Sequence, residues 1–354
     1  MSTTADRVRE LIAVSGFTHR DFAERIGLDA TKLSKSLGGS RRFSSLDLAQ
    51  VSEQCGVTVD WLITGVEPEL AVAARSTGGT AALALEEAQR LSTTRSDMAF
   101  LGFGQPWRGL DLQQRAAEEQ AEAARAHITA VGRSVAEPEF AEVIEAAFGA
   151  DVTVCALGPG FDGLSVSSDE VKLILVGTSQ IPARQRFTIA HELGHLLNGD
   201  DQQLHVDANV YDAEYRLDQS ERQANAFAAT LLMPLERLRA EAGTSKIDET
   251  SFARLADELA VSPSSLALRL KDLGLIDSDV CDQFRKLSSA KAAAMAGRSA
   301  VYAGLVSKAS RPRPPGLLCR DAYQAYETGE ATLRPYAALL GVGVDSLRES
   351  LESH

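Results

Sequence analysis

Two histidines and a glutamate near the middle of the chain form the pattern with the clearest chemistry. His191 and His195 lie four residues apart, and Glu192 directly follows the first of them. In a helix this spacing places both imidazoles on one face, where one tetrahedral metal ion can bind them. Glu192 can then take the proton of a water molecule whose pKa zinc lowers to roughly 7. The pattern therefore predicts metal-assisted hydrolysis at neutral pH.

The residues around this pattern predict that its helix is buried. Apolar side chains flank it on both sides, from Phe187 to Leu197. Two imidazoles and a carboxylate buried together are costly unless a metal or hydrogen bonds compensate them. The alternative interpretation, a surface helix with two histidines and a glutamate, does not account for the apolar flanks.

A third ligand is expected from a later helix, as in thermolysin-like sites. Glu221 lies 26 residues after His195, and Ala224 and Ala228 are small enough for close helix packing. Asn225 falls one turn beyond Glu221 on the same face, where it can orient a ligand as an outer partner. An exposed polar residue is an equally good interpretation of Asn225.

Other residues offer alternatives at this site. Asp201 lies ten residues after the first histidine, where metzincin-like sites place a ligand, but Asn198 replaces the glycine that turns the chain there. His205, Tyr211 or Tyr215 could stabilise a developing oxyanion. Loop positions without a catalytic role remain the simpler interpretation of these three residues.

The segments that must position the site change in character along the chain. Residues 116–131 and Phe140–Phe148 have the spacing of amphipathic helices, and the chain after Pro182 reads as helical out to residue 351. A proline-rich break interrupts it at residues 311–316. Three short β-branched runs separated by turn residues predict a small antiparallel sheet, and they cover residues 152–157, 164–166 and 171–176.

The first 66 residues have the pattern of short helices separated by glycine. Ala23, Gly27, Leu28 and Leu33 have the spacing of a helix-turn-helix corner, in which the small residue permits close crossing and glycine takes the left-handed turn. The helix Ala30–Leu37 should follow, with Asp29 as its N-cap. Similar corners recur later in the chain without a basic helix face, so only the first predicts DNA binding.

Charge supports the same placement. The chain has 354 residues and a net charge of −13, yet residues 1–66 hold 8 basic and 8 acidic side chains, so the acidic excess lies elsewhere. A double-stranded DNA operator should therefore bind the N-terminal module, and a homodimer would present two half-sites. The alternative is a solvated helix face. The candidate contacts are Thr31, Lys32, Ser34 and Lys35 for base edges or phosphates, and Arg41 and Arg42 for phosphates.

Composition bounds the class of protein. The mean hydropathy of −0.10 is that of an ordinary globular chain, which excludes disordered and fibrous classes. No run approaches the ~18 apolar residues that a membrane helix requires, and no leader follows the first methionine, so a cytoplasmic protein without a membrane partner is expected. The four cysteines lie at least 38 residues apart, which indicates reduced thiols rather than a disulfide framework.

Separated motifs resemble those of the ImmA/IrrE zinc metallopeptidase family. They are the run Arg184-Gln185-Arg186-Phe187-Thr188-Ile189-Ala190-His191-Glu192-Leu193-Gly194-His195, then Glu221, Asn225, Phe227-Ala228 and Leu231-Leu232-Met233-Pro234. The resemblance implies a Zn²⁺ ion held by His191, His195 and Glu221, with Glu192 as general base. It also implies a protein substrate that is a repressor or another regulatory partner. Residues 1–66 more weakly resemble the lambda-repressor-like (XRE) DNA-binding domain.

The expected architecture is multidomain. An all-α helix-turn-helix bundle is followed by an α+β, zincin-like metallopeptidase domain with a small antiparallel sheet, and then by a helical C-terminal module. The expected divisions are 1–66, a helical connector at 67–115, the peptidase domain at 116–275 and the C-terminal module at 276–354. The expected function is a zinc endopeptidase coupled to DNA binding and transcription regulation. A DNA-binding regulator whose peptidase-like domain only senses a ligand, and a partner-binding adaptor, are the alternatives.

Overall fold

The computed structural model of the chain divides into two compact units, Met1–Glu86 and Glu87–His354. It describes residues 3–15, 17–55, 57, 59–65, 80–110, 112, 115–157, 162–199, 210–243 and 247–353. The division falls inside one long helix, Thr80–Phe100, which is α6 in chain order.

The first unit contains five short helices around an apolar core. They are α1 (Thr4–Ser15), α2 (His19–Arg25), α3 (Ala30–Leu37), α4 (Ser45–Cys55) and α5 (Val59–Thr64). Val8, Phe22, Leu33 and Leu62 are fully buried together. Gly27 takes a φ of +62° between α2 and α3, a conformation that costs glycine little.

The start of α3 agrees with the sequence prediction. The Asp29 side chain accepts hydrogen bonds from the backbone N–H groups of Thr31 at 2.7 Å and Lys32 at 3.3 Å. These bonds satisfy two of the donors that a helix leaves unpaired at its first turn. The predicted helix Ala30–Leu37 and its N-cap are both confirmed.

The second unit packs helices around a three-stranded sheet. The strands are β1 (Asp151–Cys155), β2 (Gly163–Ser167) and β3 (Lys172–Gly177). The helices before and around the site are α7 (Ala117–Ala130), α8 (Phe140–Phe148), α9 (Pro182–Asn198), α10 (Val210–Leu232) and α11 (Leu235–Ala242). The remaining helices are α12 (Glu249–Glu258), α13 (Pro263–Asp272), α14 (Ser278–Phe284), α15 (Ser289–Met295), α16 (Ser299–Ala309), α17 (Gly316–Glu327), α18 (Arg334–Leu340) and α19 (Val344–Glu352).

The sheet is mixed, and the prediction of an antiparallel sheet was wrong in this respect. Its order is β1-β3-β2, with β1 parallel to β3 and β2 antiparallel to β3. The central strand β3 is buried along 173–176, the pattern typical of a strand covered on both faces. A short β-branched run predicts a strand but carries no information on the direction of its partner, so the sequence could not distinguish the two arrangements.

The helix α9 lies between the sheet and the helix α10. It packs on β2 and β3 on one side and on α10 on the other. Gly194 permits the close crossing, since a Cβ there would lie 3.0 Å from a ring atom of Phe227 and 3.4 Å from the Cα of Ala224. The sequence between the helices therefore places α9 and α10 face to face.

The proline-rich segment at 311–316 separates α16 from α17, as expected, and it is bound to the sheet. The backbone of Arg313 exchanges two hydrogen bonds of 2.9 Å with Val154 of β1. Its guanidinium pairs with Glu145 at 2.6 Å, and Glu145 also accepts a hydrogen bond from the backbone N–H of Gly316 at 2.8 Å. The division of the chain at residue 276 stays a prediction, and these contacts fasten the C-terminal helices to β1.

Candidate metal centre

The helix α9 holds the two histidines on a rigid and mostly buried support. It begins with Pro182 in its first turn, where the missing N–H costs nothing, and it ends before Gly199, whose φ is +73°. The side chain of His195 is 2% exposed and that of His191 is 14% exposed. Their spacing of one helical turn turns both rings toward α10.

Glu221 of α10 completes a cluster of three ligand atoms. The Nε2 atoms of His191 and His195 are 3.1 Å apart. The Glu221 carboxylate lies 3.2 Å from the Nε2 of His191 and 3.4 Å from that of His195. The structure thus brings together the three side chains that the sequence analysis proposed as ligands.

These distances fit a tetrahedral metal ion. With zinc–nitrogen and zinc–oxygen bonds of about 2.0–2.1 Å, two ligand atoms at a tetrahedral angle are separated by about 3.3–3.4 Å. The three observed separations, 3.1, 3.2 and 3.4 Å, agree with that spacing. Two imidazoles and one carboxylate leave a fourth position for water or substrate, the arrangement of catalytic zinc sites.

The outer nitrogens of the imidazoles have partners that fix the rings. The hydroxyl of Ser220 lies 3.3 Å from the Nδ1 of His195, and the side chain of Asn225 hydrogen-bonds to His191. Burial lowers the pKa of His191, and the neighbouring His195 lowers it further, although Glu221 opposes both effects. Both influences favour the neutral imidazole, which is the form that binds a metal.

Glu192 points away from the imidazoles and under the strand β2. Its side chain is buried, and burial raises the pKa of its carboxyl to about 7. Its Oε2 atom has no hydrogen-bond partner within the part of the chain that the structure describes. The Ser165 hydroxyl lies nearby without forming a hydrogen bond. A buried carboxyl oxygen without a donor can receive the proton of a water molecule in the site.

The strand β2 leaves space for this carboxyl because its first residue is glycine. A Cβ on Gly163 would lie 2.5 Å from the Thr188 methyl group and 2.9 Å from the Oε1 atom of Glu192. Both distances are shorter than real Cβ contacts. Gly163 therefore sets the depth at which Glu192 lies under the sheet.

The candidate DNA contacts lie on the first unit. Thr31, Lys32, Ser34 and Lys35 are all exposed on α3, as is Arg42 beyond it. Arg41 is half-buried, pairs with Asp47 at 2.7 Å and hydrogen-bonds to the Ser36 hydroxyl at 2.8 Å. Its guanidinium is thus already held inside the module, unlike that of Arg42.

Several residues had no clear signal in the sequence. Ser220 and Ser165 come near the site only through the packing of α10 and β2 on α9, and serine is too common for its position to predict this. Of the alternative ligands, Asp201 and His205 lie outside the described residues. The side chains of Tyr211 and Tyr215 also lie outside them, although both positions belong to α10.

Within the described residues, none of the helices combines the length and the apolar character that crossing a lipid bilayer demands.

Comparison with known proteins places this site in a family. Residues 146–271 match the family described as the IrrE N-terminal-like domain. A segment of 109 residues is 38% identical to the radiation response metalloprotease IrrE of Deinococcus radiodurans, covering 29% of this chain and 32% of that protein. A segment of 69 residues is 46% identical to the radiation response metalloprotease IrrE of Deinococcus deserti, covering 19% of this chain and 24% of that protein.

The chain thus spans about a third or less of the length of the curated relatives that it matches. The matched family region contains α9 and α10, and with them His191, Glu192, His195 and Glu221. Through this IrrE N-terminal-like domain at residues 146–271, the chain belongs to the ImmA/IrrE family.

Proposed function

We propose that this chain is a zinc-dependent endopeptidase that cleaves a regulatory protein, with His191, His195 and Glu221 as metal ligands. The observation that carries the proposal is the convergence of these three side chains next to a buried and unpartnered glutamate. A purely structural metal site has no need of a free carboxyl beside its ligands. The names of the two curated relatives, both metalloproteases, support the same reaction class.

The chemistry divides between the metal and the residues around it. A bound Zn²⁺ ion would supply Lewis acidity, which polarises a peptide carbonyl and makes water easier to deprotonate. Glu192 takes the proton of the attacking water at Oε2 and delivers it to the departing amine. A pKa of about 7 lets one carboxyl perform both transfers near neutral pH. Ser220 and Asn225 hold the imidazoles in a fixed orientation meanwhile.

The substrate peptide adds to the sheet at β2. This strand lies at the end of the sheet order β1-β3-β2, so one of its edges has no strand beside it in that sheet. It also carries Gly163 and Ser165, which lie next to Glu192. An extended peptide bound there through main-chain hydrogen bonds lies alongside the catalytic carboxyl.

Two variants test the metal and the base separately. Purified protein should contain about one zinc ion per chain by elemental analysis, and Glu221→Ala should lose most of it because one of three ligands is removed. Glu192→Gln should keep the zinc and lose cleavage of the partner by a factor of roughly 10²–10⁴, the range typical of a general base.

The outcomes distinguish the peptidase from a sensor without proteolysis. If Glu192→Gln regulates its target genes as the unaltered protein does, the regulation does not depend on cleavage, and the DNA-binding regulator becomes the better explanation. Protein that binds no zinc when it is supplied would remove the basis of the peptidase altogether.

A second proposed activity is the binding of a DNA operator by the first unit. The supporting observation is the exposed face of α3, where Lys32 and Lys35 lie beside Thr31 and Ser34. Replacing both lysines by alanine should weaken DNA binding and reduce its dependence on salt by about two counter-ions. The matched control removes two exposed lysines elsewhere, Lys271 and Lys286. Equal binding by the two double variants would contradict the role of α3.

A further inference from the structure

A cavity of about 350 Å³ lies beside α9, away from the histidines. Its walls come from the start of α8, the first half of α9, the end of α16 and the proline-rich segment. Arg186 and Ile189 face it from α9, whereas His191 follows Ile189 by two residues and so lies on the other side of the helix. The cavity and the metal centre therefore share one helix without sharing a face.

The lining of this cavity is apolar with an excess of positive charge. Its walls include Pro138, Phe140, Pro182, Ile189 and Leu305. The charged residues that line it are four cations and a single acid, in a chain whose net charge is −13. They are Arg186, Lys308, Arg311 and Arg313 against Glu139.

Two of these cations already have acidic partners. Lys308 pairs with Glu139, and Arg313 pairs with Glu145. Arg311 is exposed at the rim. Arg186 is the only one of the four that is buried, with 6% of its surface exposed, and no acid among the described residues pairs with it.

The guanidinium of Arg186 is held in place but left incompletely bonded. Its Nη1 atom donates to the backbone carbonyl of Glu137 at 2.8 Å, and its central carbon lies 4.4 Å from the centre of the Phe140 ring. The Nε and Nη2 atoms are buried and have no hydrogen-bond partner in the described structure. Burial lowers the pKa of Arg186 to about 10, but the side chain stays charged at neutral pH.

The two unbonded nitrogens determine which ligand fits. Nε–H and an N–H of Nη2 point in parallel from one edge of the guanidinium plane, and this fork matches the two oxygens of a carboxylate. A buried charge without a counter-ion is costly. The apolar walls, in turn, are suited to the hydrocarbon part of a small molecule, and the volume lies in the range of ligand pockets.

We propose that this cavity binds a small monocarboxylate with an apolar body, whose carboxylate pairs with the Nε and Nη2 atoms of Arg186. The site is separate from the metal centre, and the proposal does not depend on peptidase activity. Because the ligand contacts α9 from the side opposite the histidines, its binding stabilises the helix that carries the metal ligands.

Benzoate is a suitable probe because it joins a carboxylate to a small apolar ring, and benzamide is its neutral control of the same shape. Saturation-transfer NMR and a titration of the full chain should show benzoate binding at least about tenfold more tightly than benzamide. Arg186→Gln should remove that preference, with folding verified by circular dichroism. Equal binding of benzoate and benzamide by the unaltered protein would overturn the proposal.

A second pair of variants keeps Arg186 in place, in case its replacement disturbs folding. Leu305→Trp fills the cavity from α16 and should abolish benzoate binding. Val301→Trp, on the same helix but outside the cavity lining, should bind benzoate as the unaltered protein does. Benzoate binding by Leu305→Trp at full affinity would place the ligand elsewhere. Inorganic phosphate that binds more tightly than benzoate would replace the carboxylate by a phosphate ligand and overturn the proposal.

Discussion

Glu192 lies in a space that exists because the strand above it starts with glycine. The carboxyl is buried, unpartnered at Oε2 and shifted to a pKa of about 7 by that burial. A methyl group on Gly163 would enter the same space, 2.9 Å from the Oε1 atom. The reactivity of one side chain thus depends on the absence of another.

Replacing Gly163 by alanine should therefore damage both stability and activity. The added methyl group overlaps Thr188 and Glu192, and overpacking of this kind costs about 1–3 kcal/mol. We expect a lower midpoint of urea unfolding and slower cleavage, with zinc content unchanged because the three ligands are untouched.

Gly304 offers a matched control for this substitution. It lies inside α16, and a Cβ there would meet nothing within 4 Å. Alanine should stabilise that helix by up to about 1 kcal/mol. If Gly163→Ala unfolds at the same urea concentration as Gly304→Ala and cleaves at the normal rate, Gly163 does not position Glu192.

At the scale of single elements, α3 and α9 illustrate two ways in which a helix is specified. The helix α3 depends on its ends, since the Asp29 cap starts it and Gly38 and Gly39 follow its last residue. The helix α9 depends on its faces, because one packs on the sheet, another meets α10 and a third lines the cavity.

The Asp29 cap predicts a pH-dependent stability of α3. Hydrogen bonds from the backbone N–H and side chain of Thr31 lower the pKa of Asp29 below 3.8. Because the folded-state pKa is the lower one, the cap stabilises α3 above pH 3.8, and this stabilisation is lost as the pH falls through the folded-state value.

Hydrogen exchange measured by mass spectrometry can test the cap in the full chain. At neutral pH, Asp29→Ala should speed exchange in the α3 peptide and leave the α9 peptide unchanged. Asp29→Asn keeps a capping oxygen without the titration, so its protection of α3 should vary less with pH than that of the unaltered protein. Unchanged exchange in Asp29→Ala would show that core packing alone holds α3.

On the scale of the whole molecule, a buried ionic network joins three distant segments of the second unit. Arg95 of α6 bonds to Asp151 of β1 at 2.7 Å and to Asp321 of α17 at 2.6 Å. Asp151 also accepts a hydrogen bond from the backbone N–H of Leu318 at 2.8 Å. This network, together with the pairing of Arg313 and Val154, fastens the C-terminal helices to the sheet beside the site.

Removing one acid from this network should be costly. Asp321 is 2% exposed, and Asp321→Ala leaves the buried Arg95 only partly compensated, a change that typically costs about 3–5 kcal/mol. The control is Asp345→Ala, which removes an exposed ion pair with Arg348 and should change stability by less than about 0.5 kcal/mol. Urea unfolding followed by circular dichroism compares the two, and similar midpoints would show that the network contributes little.

The sequence by itself determined what depends on short spacing. The bounds of α3 and Phe140–Phe148 agree with the periodicity of apolar residues and the caps, and the face shared by His191 and His195 follows from the helical repeat. The three strands were also found from their β-branched composition. Each of these features is decided within a few residues, so local geometry is sufficient.

Only the tertiary structure decided what depends on residues far apart in the chain. The parallel pairing of β1 with β3, the bond between Arg313 and Val154, the network of Arg95 and the cavity beside Arg186 all join segments separated by long loops. Which segments meet is fixed by how the whole apolar surface is buried, a choice that no local pattern encodes. Glu221 belongs to both groups, since its spacing made it a candidate ligand and the packing of α10 on α9 brought it within 3.2 Å of His191.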